Sequence, residues 1–412
     1  MNVVFHRYNS ICEPGYVDAF KALGLSVIED RQEMTDKNIP PDVRIKTIAE
    51  LILKERPLFV FSINFFPYIS DICEKLNCLY VCVSVDCPVA ELSSRSIRNS
   101  HNRIFLFDHA QYLETVSENP GGVFHLPLGV MYGDREYVEP GSFTYDVSFI
   151  GSLYEEKNPY SDMFGKLSPR VQGLCEGLLG AQELLGGMDL LETIFGGAAG
   201  DLHGQKIIDE ILSEVRDFVP DVLKDDGLYV TGMSSCWALN NCFGFELTVR
   251  DRMTLIATLA EGLAGEAGVH LFTRSSTDGL RRMAPSLITH GGVSTLTEMP
   301  GVIRSSRINL NTTMRPIRTG LPQRIWDVLG FGGFLLTNWQ SEIPDSLTVG
   351  THLEAYETPE EAIEKIRHYL SNEDERMEIA RRGHAEAVSR HGVLNRVAVM
   401  IERITASIER HT

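Results

Sequence analysis

Residues 308–338 read INLNTTMRPIRTGLPQRIWDVLGFGGFLLTN. The run RINLN (307–311) reads as a strand. It passes into the connection TMRPIRTGLP, then into a helix over 322–329, and emerges as the strand GFLLTN (333–338). Gly332 and Gly333 allow the tight turn from helix to strand, because glycine carries no Cβ. Strands that alternate with helices in this way build a parallel sheet covered on both faces.

The same rhythm extends outward. VHLFT (269–273) is a strand preceded by a helix over 249–263, and a further short strand is expected near 293–296. Towards the C-terminus, helices are expected at 359–369, 373–390 and 394–409. Towards the N-terminus, DVSFIGSLY (146–154) is a strand running into a Gly-Ser turn. Between that strand and the helix at 249, residues 160–245 are Gly-punctuated and helical in pattern, with LYVTG (228–232) the one candidate strand. They read as a helical insertion. The stretch EYVEPGSFTY (136–145) is polar, carries Pro140 and Gly141, and reads as a linker. Before it stand five strands: NVVFH, LSVIED, LFVFSIN, LYVCVSV and RIFLFD, with VFHLPLG closing the series. Helices are expected between the early ones at 16–23, 42–54 and 69–76.

The expected architecture is therefore α/β, with two Rossmann-like parallel-sheet domains. Residues 1–140 form the first, joined by a C-terminal helix at 393–412. Residues 141–392 form the second and hold the insertion.

Composition narrows the function. The chain has 412 residues with 38 Lys plus Arg against 56 Asp plus Glu, a formal net charge of −18. Such a surface repels nucleic acid and anionic lipid, so a phosphate ligand needs a local basic pocket. No apolar run approaches the roughly 20 residues of a membrane helix, and MNVVFHRYNS lacks the features of a signal peptide. A reduced, cytoplasmic protein is expected. Among the eight cysteines, Cys73, Cys78, Cys82 and Cys87 cluster without CxxC spacing or a neighbouring His. They read as buried thiols, and no metal site is expected.

The basic exception is local. Arg304, Arg307, Arg315, Arg318 and Arg324 fall within 21 residues. Arg315 and Arg318 sit between a strand and a helix N-terminus, where guanidinium forks and free N–H groups both favour a diphosphate. Arg274, after VHLFT, is a further candidate for that pocket. Gly151 and Ser152 form a small-residue turn whose N–H groups suit a phosphate. Asp327, on the helix after the connection, suits ribose hydroxyls. In the first domain, His6, Arg7, Asn9, Asn64 and Asp86 stand at strand ends, where parallel sheets bind ligands.

Taken together, these segments resemble CgeB-like glycosyltransferases, a bacterial group of GT-B fold. Residues 308–338 resemble the nucleotide-binding end. SINFFPYISDIC (62–73), VSVDCP (83–88), NRIFLFDHAQY (102–112) and FHLPLGV (124–130) resemble the accompanying N-terminal domain. DVSFIGSLY resembles the start of the second domain. The resemblance implies two domains facing a cleft, a nucleotide-diphosphate sugar held mainly by the second, and no metal or other cofactor. By that analogy the stretch from Arg315 to Asp327, with Gly320 and Arg324 inside it, holds diphosphate and ribose. The implied reaction moves a sugar to an acceptor hydroxyl on a glycan or protein, with the acceptor expected on the first domain, residues 1–140, and the reaction in the cleft. Asp86 is the first candidate for general base and His6 the second. Thr319 stands eight residues before Asp327, where many retaining relatives carry a carboxylate, which leaves the stereochemistry open. A non-catalytic sugar-nucleotide-binding scaffold and a GT-B-shaped epimerase are the rival readings. The oligomeric state is left open.

Overall fold

The computed structural model describes residues 1–185, 187–195, 202–219 and 238–409. Two six-stranded sheets, parallel throughout, organise them.

The first sheet contains β1 (Asn2–His6), β2 (Ser26–Asp30), β3 (Phe59–Ile63), β4 (Leu79–Val83), β5 (Asn102–Leu106) and β6 (Val123–His125), in the order β2-β1-β3-β4-β5-β6. Alternate side chains leave its opposite faces, as the period of two requires. Val3, Phe5, Phe59, Phe61, Val81 and Phe105 enter one core, while Val4, Val60, Tyr80, Cys82 and Ile104 enter the other. Both faces are covered, which is why the strands read as unbroken apolar runs. The first core also takes Val397, Met400 and Ile404 from the final helix, Val393–Glu409. That helix packs on Glu13–Ala22. Arg103, buried in β5, donates to the Ser407 hydroxyl at 2.6 Å. The chain thus returns to its first domain at the end.

The second sheet contains β7 (Tyr145–Ile150), β8 (Val269–Phe272), β9 (Ile288–His290), β10 (Ser306–Asn311), β11 (Leu335–Asn338) and β12 (Glu354–Tyr356), in the order β12-β11-β10-β7-β8-β9. This is the dinucleotide-fold order, with its switch point between β7 and β10. The strand expected at 293–296 lies instead at β9. Residues 293–296 run into a turn over 295–298, where the Ser294 N–H donates to the Glu298 carboxylate at 2.6 Å, leading into the helix Met299–Arg304. β12 was not expected: its three residues, EAY, stand in no apolar run.

The insertion forms helices Tyr160–Phe164, Pro169–Leu185, Asp189–Phe195 and Leu202–Val215. It has its own core of Met163, Val171, Cys175, Leu191, Ile211 and Phe243. The candidate strand at 228–232 lies outside the described residues. Among the described residues, no helix is long and apolar enough to cross a membrane.

The two domains meet along an apolar seam of Phe107, Leu128 and Val130 from the first and Ile317, Leu321 and Trp326 from the second. Polar clamps flank it. The buried Asp108 carboxylate accepts from the N–H groups of Thr319 at 2.8 Å and Gly320 at 3.0 Å, and caps its own helix through the Gln111 N–H at 2.7 Å. Glu342 accepts from the His109 N–H at 2.8 Å and pairs with His125 at 3.0 Å.

Candidate functional site

A cavity of about 610 Å³ opens between the carboxyl ends of the two sheets. Its second-domain wall is built at the β7/β10 switch point by Gly151, Ser152, Asn311 and Thr312. Its first-domain wall comes from Asn64 after β3 and from the loop after β4, which carries Asp86 and Glu91.

Arg252 spans the switch point. It lies on the helix Gly244–Gly262, whose buried stripe includes Thr248, Val249, Leu255, Ile256 and Leu259. At three and four residues from these, Arg252 shares their face and is only 7% exposed. One guanidinium nitrogen donates to the Ser152 carbonyl after β7 and another to the Thr312 carbonyl after β10, the latter at 2.8 Å. Its Nε has no partner. No carboxylate pairs with Arg252 among the described residues, and burial pulls its guanidinium below the usual range. The Tyr154 ring covers it at 4.6 Å. Tyr154 holds φ at 69°, a left-handed backbone that non-glycine residues adopt at a cost of about 1–2 kcal/mol. A buried cation that is held by carbonyls and a ring and lines the cleft can seat an anion.

Two further cations reach this cleft. Arg324 lines it and is 3.1 Å from the Asp327 carboxylate. Lys157 lines it and lies over the Tyr154 ring. The opposite wall is acidic. Asp86 is exposed, and Asn64 Nδ2 donates to its Oδ2 at 2.7 Å. Asn64 itself sits at φ 57°, and its Oδ1 accepts from the Val85 N–H at 3.0 Å. The strand-end asparagine thus orients the carboxylate. Burial, with Asp86 adding to it, pushes the neighbouring Glu91 carboxyl up.

Several sequence-derived candidates lie elsewhere. His6 is 1% exposed, with Nδ1 2.8 Å from Asp30 and Nε2 3.3 Å from the Tyr68 hydroxyl. It is a core histidine that does not line the cleft, so it is not placed to act as a base there. Arg274 is exposed, lies against Gly292 and lines neither this cleft nor the cavity beside it. Arg315 pairs with Asp251, and Arg318 with Glu114 at 2.6 Å and Glu192 at 3.0 Å. Both face the adjacent cavity, and their charge is already balanced. The Gly320 N–H goes to Asp108. A Cβ at Gly320 would come within 2.9 Å of Asp108 Cα, so this glycine serves domain contact and not phosphate. Gly151 and Ser152 do line the cleft, but the Gly151 N–H already donates to the Phe272 carbonyl at 3.1 Å. Asp327 is buried one layer below the lining. It is held by Gln323 at 3.2 Å and by Arg324, and burial raises its carboxyl.

Sequence reasoning missed Arg252, Lys157, Tyr154 and Glu91. Only Arg252 left a signal, as a cation on the apolar face of an amphipathic helix. Among the described residues, no group of three or more His, Cys, Asp or Glu side chains could hold a metal ion.

Two facing Rossmann-like domains with a cleft at their carboxyl edges define the GT-B fold. A family model described as glycosyl transferase-like matches residues 269–402. The crystal structure of Anabaena HepE in complex with UDP and glucose is similar at a TM-score of 0.54 and 9% identity, covering 98% of this chain and 100% of that one. HepE in complex with UDP-glucose gives the same TM-score at 8% identity, with 98% and 100% covered. A glycosyltransferase from Rickettsia africae ESF-5 is similar at 0.49 and 12% identity, with 99% and 98% covered. No curated protein matches the chain.

Proposed function

We propose that this protein is a glycosyltransferase of the CgeB-like kind, which takes a sugar from a nucleoside-diphosphate donor in the interdomain cleft. One observation carries the reading: the buried guanidinium of Arg252, without a carboxylate partner, faces the cleft where the second sheet reverses its strand order. The glycosyl transferase-like match over residues 269–402 and the UDP-glucose complex of HepE support it.

In this reading the diphosphate lies against Arg252, with Arg324 and Lys157 closing around it. These cations stabilise the negative charge that grows on the departing nucleoside diphosphate. They supply charge at the position a divalent cation would otherwise serve, so the reading invokes none. Asp327 keeps Arg324 and Gln323 in place from below. On the other wall, Asp86 accepts the proton of the acceptor hydroxyl. That oxygen attacks the anomeric carbon, the bond from that carbon to the phosphate oxygen breaks, and the diphosphate leaves with the electron pair. Direct displacement of this kind inverts the anomeric configuration.

Thermal-shift titration with UDP-, GDP- and ADP-hexoses tests the donor class, because a ligand stabilises the folded state by mass action. One nucleotide family is expected to raise the midpoint, and to do so in the presence of EDTA. No shift with any of them would overturn the reading. Product analysis separates the rivals: an altered free sugar nucleotide with no acceptor consumed marks an epimerase, and binding without turnover marks a scaffold.

A further inference from the structure

The two walls of the cleft carry opposite charge. Every cation that lines it, Lys157, Arg252 and Arg324, comes from the second domain. Arg252, 7% exposed and with its Nε unpartnered, marks the space as a ligand site. Arg324 already shares its charge with Asp327 at 3.1 Å. That leaves Arg252 and Lys157 for the donor, one cation for each phosphate of the diphosphate. No lining cation is left over for a second anion.

The first-domain wall contributes no cation of its own. Beside Asn64 it presents the carboxyls of Asp86 and Glu91, and the rest of its lining, Val85, Cys87, Pro88, Val89 and Ala90, is uncharged. Asn64 Nδ2 holds Asp86 at 2.7 Å, in the orientation the base requires. Glu91 stands on the short helical turn Ala90–Ser93, which is anchored by the buried Leu92. Its side chain is half-buried, and among the described residues only its own backbone N–H reaches the carboxyl. Burial, with Asp86 adding to it, already works against negative charge there. A carboxyl so placed is stabilised by a hydrogen-bond donor or a cation, and an anion beside it adds to the repulsion.

We infer that the acceptor is a polyhydroxylated compound without an anionic group, and that Glu91 selects it by accepting a hydrogen bond from a second hydroxyl or from an ammonium group, while the reacting hydroxyl lies at Asp86. The inference rests on the glycosyltransferase reading above and gives its acceptor a chemical class. Selection works mainly by rejection: a phosphorylated or uronic acceptor meets two carboxyls and no free cation. The diphosphate across the cleft strengthens that rejection.

The test uses the full-length protein with the nucleotide sugar that raises its thermal midpoint. Methyl glycosides of glucose, galactose, mannose and N-acetylglucosamine are the neutral acceptors, and methyl glucosaminide is the ammonium-bearing one. Methyl glucuronide and methyl glucoside 6-phosphate are the anionic ones. Release of nucleoside diphosphate above the rate without acceptor is measured, and products are checked by mass spectrometry. A neutral or ammonium-bearing acceptor is expected to be used with kcat/KM about tenfold or more above that of either anionic one. Glu91→Gln should raise KM for that acceptor about threefold to tenfold and leave nucleotide-sugar affinity within about twofold. Glu91→Lys should lower its use about tenfold and raise use of the anionic acceptors by a similar factor. Such a gain cannot arise from damage to the fold. The inference is overturned if the anionic acceptors are used as well as the others, if no acceptor in the panel is used, or if Glu91→Lys leaves their ratio unchanged. Failure of the glycosyltransferase reading looks different: the wild-type protein then binds no nucleotide sugar.

Discussion

The cleft and the cavity beside it are both rich in charge, yet they hold it in opposite ways. Around the cavity, Arg250, Arg315 and Arg318 are matched to carboxylates. Along the cleft, Arg324 is paired with Asp327, but Arg252 and Lys157 on the same wall and Asp86 and Glu91 on the other have no ion-pair partner among the described residues. A paired guanidinium has little left to offer a ligand, whereas a buried one held only by carbonyls and a ring keeps part of its desolvation cost for an anion to offset. The number of arginines in a segment therefore says less about phosphate binding than whether their counter-charges lie within reach.

The largest expected effect tests the acidic wall. Asp86→Asn should lower the rate of transfer by roughly 10²–10⁴, the range for a lost general base, with nucleotide-sugar affinity preserved. Full activity would remove Asp86 from the reaction and leave the acidic wall without a role.

Arg252→Met tests the cationic wall. Charge-assisted hydrogen bonds contribute about 1.5–3 kcal/mol, so calorimetry should show donor affinity falling on the order of a hundredfold. Arg252→Lys keeps the charge and should recover part of it, which separates charge from the structural bridge between Ser152 and Thr312.

The seam comes next. Asp108→Ala leaves the Thr319 and Gly320 N–H groups without their acceptor, and urea titration should register about 1–3 kcal/mol of lost stability. Glu342 adds a pH dependence. Burial pushes its carboxyl up, but hydrogen bonds from His125, Thr319 and the His109 N–H outweigh this and hold it below its ordinary value of 4.5. A carboxylate lowered on folding contributes stability above its unfolded pKa, and that contribution fades as pH falls through the folded value. Glu342→Gln should therefore flatten the acid limb of the thermal midpoint below about pH 4.5, with little change in its slope near neutrality.

The smallest effect sharpens the comparison most. Arg315→Met and Arg318→Met should leave nucleotide-sugar affinity within about twofold, because those cations already have partners. A loss as large as that of Arg252→Met would erase the distinction between the two spaces.

Much of the fold was legible because its causes are local. Unbroken apolar runs such as LFVFSIN announce strands buried on both faces, and β3 is buried along its whole length. The described helices of the insertion and the carboxyl-edge position of Asp86 also followed from neighbouring residues. β9 (ITH) and β12 (EAY) escaped because, unlike the equally short β6 in VFHLPLG, they stand in no apolar run. The site was less legible. His6 and Asp86 look alike as polar strand ends, but Asp30 and Tyr68 close over the first, while Asn64 presents the second to the cleft.

The sequence by itself determined two parallel α/β units, a helical insertion between the strands of the second and an acidic balance that confines phosphate binding to a local pocket. These follow from hydrophobic period, turn chemistry and charge, which each segment carries within it. Only the tertiary structure decided which cations remain unpaired. Asp251, Glu114 and Glu192 lie 64, 204 and 126 positions from the arginines they neutralise, counting Asp251 to Arg315 and the other two to Arg318. Arg252 becomes a cleft residue only because β7 and β10 lie side by side. Ion pairing acts through space, and chain order does not record it.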